Sequence, residues 1–324
     1  MPLINKEMKK KKIKVGVVGI GHLGNYHLQK YQKIESSEII AVADMFPDRA
    51  QKAAEIYRCA AFADYRAMIG KVDAASITVP TSDHYKIAKD FLKAGIDVLI
   101  EKPICATLEE ADELIKIAEK KKLVLQVGFV ERFNPAVMAL EKVIQKPLFI
   151  ESHRLHPFFE RGTDVDVILD LMIHDLDIII KFVNSSITAV EAVGVPILSD
   201  KIDIANARIS FASGCVANVT ASRISSKTMQ KIRFFGVEGY HSVDCQKREI
   251  LSLGKEKNES GQLQILQNNI EVGSHDPLEE EIRAFVDAVI NRSKPLISGE
   301  DARKSLALAM EIIKKMKVVE DLLK

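Results

Sequence analysis

The sequence predicts an α/β protein. A doubly wound parallel sheet comes first, followed by an α+β domain in which antiparallel strands dominate. Three observations predict it. Over the first ~128 residues, wholly apolar runs alternate with stretches of helical spacing, the pattern of a parallel sheet covered on both faces. The first apolar run leads straight into a glycine-rich turn, "GIGHLG". Beyond residue 129 apolar and polar residues alternate one by one, as in half-buried antiparallel strands. The expected division is a basic tail at 1–12, a first domain at 13–128 and a second at 129–324.

"IKVGVVG" opens the parallel sheet, and His22–Lys33 has helical spacing. "EIIAVAD" is the second strand, "FPDRAQKAAEIYR" a helix, and "CAAFA" a short strand. "DAASITV", "IDVLIE" and "LVLQVGF" complete the sheet. The two segments between them, "TSDHYKIAKDFLKAG" and "TLEEADELIKIAEKK", are amphipathic helices. Thr81 or Ser82 caps the first and Thr107 the second, because a side-chain oxygen there accepts from the open amides of the first turn. Gly95 suits the left-handed position that ends a helix.

In the second domain "PLFIESHRL" reads as a strand and Asp164–Val183 as a helix. "IANARISFASGCVANVTASRIS" puts Ala205, Ala207, Ile209 and Phe211 on one face, with Asn206, Arg208 and Ser210 on the other. Ala212-Ser213-Gly214 breaks it as a hairpin turn. "KIRFFGVEGYHSVDC" continues the sheet. "DPLEEEIRAFVDAVINR" is a helix with Asp276 as cap, Pro277 at the first helical position and Glu279 as capping-box partner. A last amphipathic helix spans 299–324.

The chain has 324 residues, 47% hydrophobic and 28% charged, enough for two medium domains. A net charge of +1 argues against nucleic acid or a membrane surface as partner. The one basic block, Lys6–Lys14, reads as a solvated tail. Cys59, Cys105, Cys215 and Cys245 are scattered, without a CxxC, and read as reduced thiols of a cytoplasmic protein. No apolar run is long enough to cross a bilayer.

"VVGIGHLGNYH" sets Gly19, Gly21 and Gly24 as GxGxxG between the first strand and the first helix. The first glycine permits the tight turn, the second lets the backbone approach a pyrophosphate, and the third lets helix and strand pack closely. The helix N-terminus then faces the negative phosphates. Asp44 ends the second strand, twenty residues after Gly24, where a carboxylate accepts from an adenosine ribose. Together they predict a Rossmann domain with Gly19, Gly21, His22, Leu23, Gly24 and Asp44 as cofactor-binding residues. S-adenosylmethionine enzymes share the loop and the acid, and the rest of the sheet separates the two. Asp44 repels a 2′-phosphate and so favours NAD, while neighbouring Arg49 leaves NADP open.

Ligands of such sheets sit outside the carboxyl ends of the strands. The fourth strand runs into "VPTSDH", giving Pro80, Thr81 and His84, and the fifth into "EKP", giving Glu101 and Lys102. All five are expected to border the nicotinamide. A lysine there can stabilise alkoxide charge developing on a carbinol. For His84, capping or packing is an equal reading.

These segments resemble the Gfo/Idh/MocA oxidoreductase family. The matching pieces are "GIGHLGNYH", Asp44, "VPTSDH", "EKPICAT", "GFVERFNPA", "DLMIHDLD", "FFGVEGYHSVDC" and "SGEDARKSLALAMEII", in family order over nearly the whole chain. The resemblance implies a Rossmann domain, then a domain built on a large, open, mainly antiparallel sheet through which homodimers or homotetramers form. It implies reversible, metal-free hydride transfer on a sugar, cyclitol or sugar nucleotide. The family's EKP lysine falls on Lys102, followed by a bond that is often cis. Its Asp-x-x-x-His stretch falls on Asp170 and His174. One departure is Met172, where many relatives have glycine. "VGFVERFNPAV", "FIESHRLHPF" and "RGTDVDVILDLMIHDLDIII" look like the branch that oxidises the C3 hydroxyl of UDP-N-acetylglucosamine. A diphosphate substrate needs cations, and Arg132, Arg154 and Arg161 lie in these segments.

Helical spacing puts Asp170, His174 and Asp177 on one face of an otherwise apolar helix. The expected roles are His174 as general acid–base, Lys102 as holder of the hydroxyl oxygen, and Asp170 as orienting group. Asp177 is expected to be structural, a partner for His174 or for an arginine. The competing readings are a metal site on these three residues, a buried structural network, an inositol or free-sugar dehydrogenase, and a non-catalytic sensor of NAD or sugars. Retention of both Lys102 and His174 argues against the sensor.

Overall fold

The computed structural model describes residues 12–158, 165–237 and 239–318. They form two compact units, one of 12–128 with Leu278–Gly299 and one of the described residues of Phe129–Pro277 with 300–318.

The first unit holds β1 (Ile13–Val18), α1 (His22–Lys33), β2 (Ser37–Ala43), α2 (Pro47–Tyr57), β3 (Ala60–Phe62), β4 (Ala74–Ile77), α3 (Thr81–Lys93), β5 (Asp97–Glu101), α4 (Leu108–Lys121) and β6 (Leu125–Gly128). The strands form one six-stranded sheet in the order β3-β2-β1-β4-β5-β6, and every pairing is parallel. Parallel pairing follows from the apolar runs: Val15, Val17, Ala74, Ala75, Ile77, Val98, Leu99 and Ile100 are all buried. The chain steps outward from β1 to β3, then returns to β4 on the other side of β1. That reversal places the ends of β1 and β4 side by side, with Val18 opposite Ile77. It opens the crevice in which such sheets bind ligands. Thr107 caps α4 with a complete capping box to Glu110. The cap of α3 differs from expectation: Pro80 occupies it, with no side-chain bond to the first turn.

The second unit holds α5 (Pro135–Leu140), β7 (Pro147–Leu155), a π-helical turn (Ile168–Met172) leading into α6 (Ile173–Val183), β8 (Ile187–Val195), β9 (Ile204–Phe211), β10 (Val216–Ser222), β11 (Met229–Gly236), β12 (Tyr240–Asp244), β13 (Glu249–Lys257) and β14 (Leu263–Asn268). Next come α7 (Pro277–Asn291), nearly all of which belongs to the first unit, α8 (Gly299–Lys315) and β15 (Met316–Val318). The nine-stranded sheet has the order β14-β13-β12-β11-β7-β10-β9-β8-β15. It is antiparallel except where β7 meets β10 and β8 meets β15. Ala205, Ala207, Ile209 and Phe211 are buried, and Asn206 and Arg208 face outward. Gly214 has φ +87 in the β9–β10 hairpin, a conformation that favours glycine.

Three expected elements differ. The helix expected over 164–183 has its first described turn wound as π, and Asp164 itself lies outside the described residues. The helix expected to run to residue 324 stops at Lys315, where Met316–Val318 pair in parallel with β8. The sulfur of Met316 there fills space that Gly194 leaves free. The helix beginning at Pro277 lies within the range expected for the second domain. Instead Ile282, Phe285, Val286 and Val289 join the core made by Val15, Val17, Leu28 and Tyr31.

Candidate active site

The glycine loop is built as its spacing demands. Gly19 has φ +90, and its amide donates to the Ala43 carbonyl at 2.8 Å. A Cβ on Gly24 would lie 2.0 Å from the Gly19 carbonyl oxygen, so α1 can approach β1 only with glycine there. A Cβ on Gly21 would meet nothing within 4 Å. Open space at this point, beside a helix start with no side-chain cap, fits the approach of a pyrophosphate. His22 and Leu23 are exposed in that first turn. Asp44 is buried at the end of β2, and its carboxylate accepts from the Ile20 amide at 2.6 Å and the Phe46 amide at 2.8 Å. Each carboxylate oxygen has a second lone pair, so the same group can still accept from a ribose. The acid therefore fixes the loop, a role that spacing alone does not reveal.

At the ends of β4 and β5 the expected residues separate into two kinds. Pro80 is exposed, Thr81, Glu101 and Lys102 are half-buried, and the Lys102–Pro103 bond is cis. His84 is buried, with Nδ1 2.8 Å from the Pro103 carbonyl and Nε2 2.9 Å from the Val79 carbonyl. It ties the two loops together and belongs to the packing alternative. Burial pushes its pKa down, against the pull of the two carbonyls. The carboxylate of Glu101 turns to His27 Nε2 at 3.0 Å.

In the second unit the polar residues of the π-turn and α6 divide. Asp170 and His174 are half-buried, and the His174 ring meets Phe129 edge-on at 6.2 Å. Single π-turns inside helices recur at functional sites, and this one carries Asp170. Asp177 is buried instead: it accepts from Ser305 at 3.0 Å and from Arg132 at 3.3 Å. Burial pushes its carboxyl up to about 6, against the charge of Arg132. Of the two partners expected for it, the arginine is present. Asp175, which spacing did not single out, is buried too. It accepts from Ser152 at 2.6 Å and from Arg154 at 2.7 and 2.9 Å. Arg154 also donates to Glu131 at 2.9 Å. Burial opposes its charge, and the carboxylates of Asp175 and Glu131 outweigh burial to raise its pKa.

The three arginines expected on a substrate diphosphate therefore fare differently. Arg132 and Arg154 are buried in ion pairs with Asp177 and Asp175. Arg161 lies outside the described residues. Arg154 was legible as an inward residue, because β7 alternates and buries Ile150, Ser152 and Arg154 on one side.

One cluster was missed altogether. His27 of α1, Glu101 of β5 and Glu281 of α7 bring a nitrogen and two carboxylate oxygens within 4.8 Å of one another. Glu281 is fully buried, and neither of its carboxylate oxygens has a hydrogen-bond partner.

Comparison with known proteins shows the family. Residues 13–129 match the model of the GFO/IDH/MocA oxidoreductase family, NAD-binding Rossmann fold, and residues 146–242 match a GFO/IDH/MocA C-terminal domain. The chain is 36% identical over 302 residues to UDP-N-acetylglucosamine 3-dehydrogenase of Acidithiobacillus ferrooxidans, covering 93% of this chain and 96% of that one. A solved structure of that enzyme superposes with a TM-score of 0.88 at 35% identity, over 94% of this chain and 98% of its own. Myo-inositol 2-dehydrogenase of Thermotoga maritima is 25% identical, over 91% of this chain and 94% of that one.

Proposed function

For this chain, which belongs to the Gfo/Idh/MocA oxidoreductase family and is an NAD-dependent dehydrogenase, we propose the C3 hydroxyl of UDP-N-acetylglucosamine, or of a related sugar nucleotide, as the group oxidised. The observation that carries the reading is the identity to the sugar-nucleotide enzyme over nearly the full length of both chains, higher than to the inositol enzyme. NAD, when bound, accepts the hydride leaving the carbinol carbon. The glycine loop and Asp44 hold it. His174 takes the hydroxyl proton as general base. The Lys102 ammonium stabilises the alkoxide that this leaves. Asp170, one turn before His174, orients the substrate or the imidazole. With Arg132 and Arg154 held in ion pairs, Arg161 is the arginine this reading retains for the diphosphate.

The open face of the nine-stranded sheet is proposed as the surface joining copies of the chain into a homodimer or homotetramer. It carries a concavity of about 660 Å³ lined by residues including Glu191, Arg208, Asn218, Thr220 and Lys317. The reading places the enzyme in the cytoplasm, where its four unpaired cysteines suit a reducing environment. No helix among the described residues is long and apolar enough to cross a membrane.

The test of the chemistry is a pair of variants. His174→Ala and Lys102→Ala should each cut kcat by ~10²-fold or more and leave NAD affinity nearly intact. Wild-type turnover by both would remove these roles.

A further inference from the structure

Within the cluster of His27, Glu101 and Glu281, only Glu101 is expected near the cofactor, and the buried Glu281 has no part in binding or chemistry as described above. An ionised carboxylate with no donor in a dry interior is unfavourable by several kcal/mol. Among the described residues Glu281 has no donor, and the charge that acts on it is that of another carboxylate, Glu101. A native chain resolves this in one of two ways: a cation enters, or the carboxyl keeps its proton.

The distances favour the proton. His27 Nε2 and Glu101 Oε1 are 3.0 Å apart, which is a hydrogen bond. An Nε2 that donates to a carboxylate carries its proton and has no lone pair left for a metal. A neutral carboxyl needs only an acceptor, and Glu101 provides one. Space for it is built in: Gly128 pairs with Glu101 across β5 and β6, and a Cβ there would lie 3.0 Å from the Glu101 carboxyl. The groups facing Glu281 are His27 and Tyr31 from α1 and Glu101 from β5. Gln126 of β6 donates to the Glu281 backbone carbonyl at 3.0 Å. Among these, only His27 can carry positive charge, and it is bonded to Glu101.

The geometry points to Glu281 as a buried neutral acid that donates its proton to Glu101, so that His27 and Glu281 together fix the strand end from which Lys102 projects. Burial, and after it the charge of Glu101, push the Glu281 carboxyl well above the usual carboxylate range, in the same direction. The arrangement joins three pieces distant in sequence: the helix after the glycine loop, the strand before Lys102, and α7. Glu281 and His27 are thus positioning residues for Lys102. That last step rests on the role proposed for Lys102, whereas the protonation does not.

The test separates the two. Infrared spectra of the folded chain at about pH 8, where Asp177 is ionised, should show a protonated carboxyl C=O band that is missing in Glu281→Gln. No substrate is needed. Glu281→Gln keeps a donor and no charge, so it should retain kcat. Glu281→Leu fills similar volume without a donor. It should lower kcat by roughly 10- to 100-fold with KM for NAD little changed, because misplaced groups cost rate rather than binding. Rescue by Gln and not by Leu is what mere packing would not give. Absence of the band, or a divalent metal co-purifying in stoichiometric amount, overturns the protonation. A band with full activity in Glu281→Leu overturns the positioning role alone.

Discussion

Gly21→Ala and Gly24→Ala make a matched pair that tests whether the glycine loop exists to admit a pyrophosphate. Both add one methyl group, three residues apart. At Gly21 the backbone has φ −83 and ψ −153, which alanine adopts, and the new Cβ would meet nothing within 4 Å. The cofactor-free fold should therefore change by less than about 0.5 kcal/mol, or gain slightly through the unfolded chain. The same methyl group would stand where the second glycine lets a pyrophosphate approach. An overpacked contact costs about 1–3 kcal/mol. At 1.4 kcal/mol per tenfold, NAD should bind ~5- to 150-fold more weakly. At Gly24 the new Cβ would lie 2.0 Å from the Gly19 carbonyl and 2.9 Å from Thr78 Oγ1. The carbonyl is backbone and also accepts from Thr78 Oγ1 at 2.7 Å, so it cannot step aside cheaply. Here the fold itself should lose about 1–3 kcal/mol or more. Thermal melts without cofactor and NAD titration by calorimetry measure both quantities. Wild-type NAD affinity in Gly21→Ala, or equal destabilisation in the two variants, would refute the reasoning.

Two further predictions concern the second unit. Asp175→Ala leaves the buried Arg154 guanidinium with Glu131 as its remaining carboxylate and should cost about 1.5–3 kcal/mol in denaturant unfolding; a loss under about 1 kcal/mol would show that the Asp175 bonds contribute little. Asp177, pushed up to about 6, binds its proton more tightly folded than unfolded. Its contribution is full below the ordinary carboxylate pKa of about 4 and fades as pH rises through about 6. The stability of the wild type relative to Asp177→Asn should therefore fall over that window, and a difference independent of pH would contradict the assignment.

The parts of this molecule that follow from local pattern were readable from residues alone. Gly19 and Gly24 declare themselves by spacing, because a tight turn and a close helix–strand approach each demand glycine at one place. The parts that depend on distant packing were not. Helical spacing groups His174 with Asp177, yet Ser305 and Arg132 draw Asp177 into the interior while His174 stays half-buried. Arg132 and Arg154 look like phosphate ligands until their carboxylates are found. Those partners lie 45 and 21 residues away. The amphipathic pattern of α7 shows that it covers a core but cannot say which one. Its return to the first unit, with Glu281 to meet Glu101, has no local signature.

The measurement that bears most directly on the proposed activity is NADH formation from UDP-N-acetylglucosamine, set beside myo-inositol and free glucose, with the product examined by NMR. The account predicts a ketone at C3 of the sugar nucleotide and kcat/KM at least ~10²-fold above either competitor. Preference for inositol or glucose, or no NADH from any of the three, would contradict it.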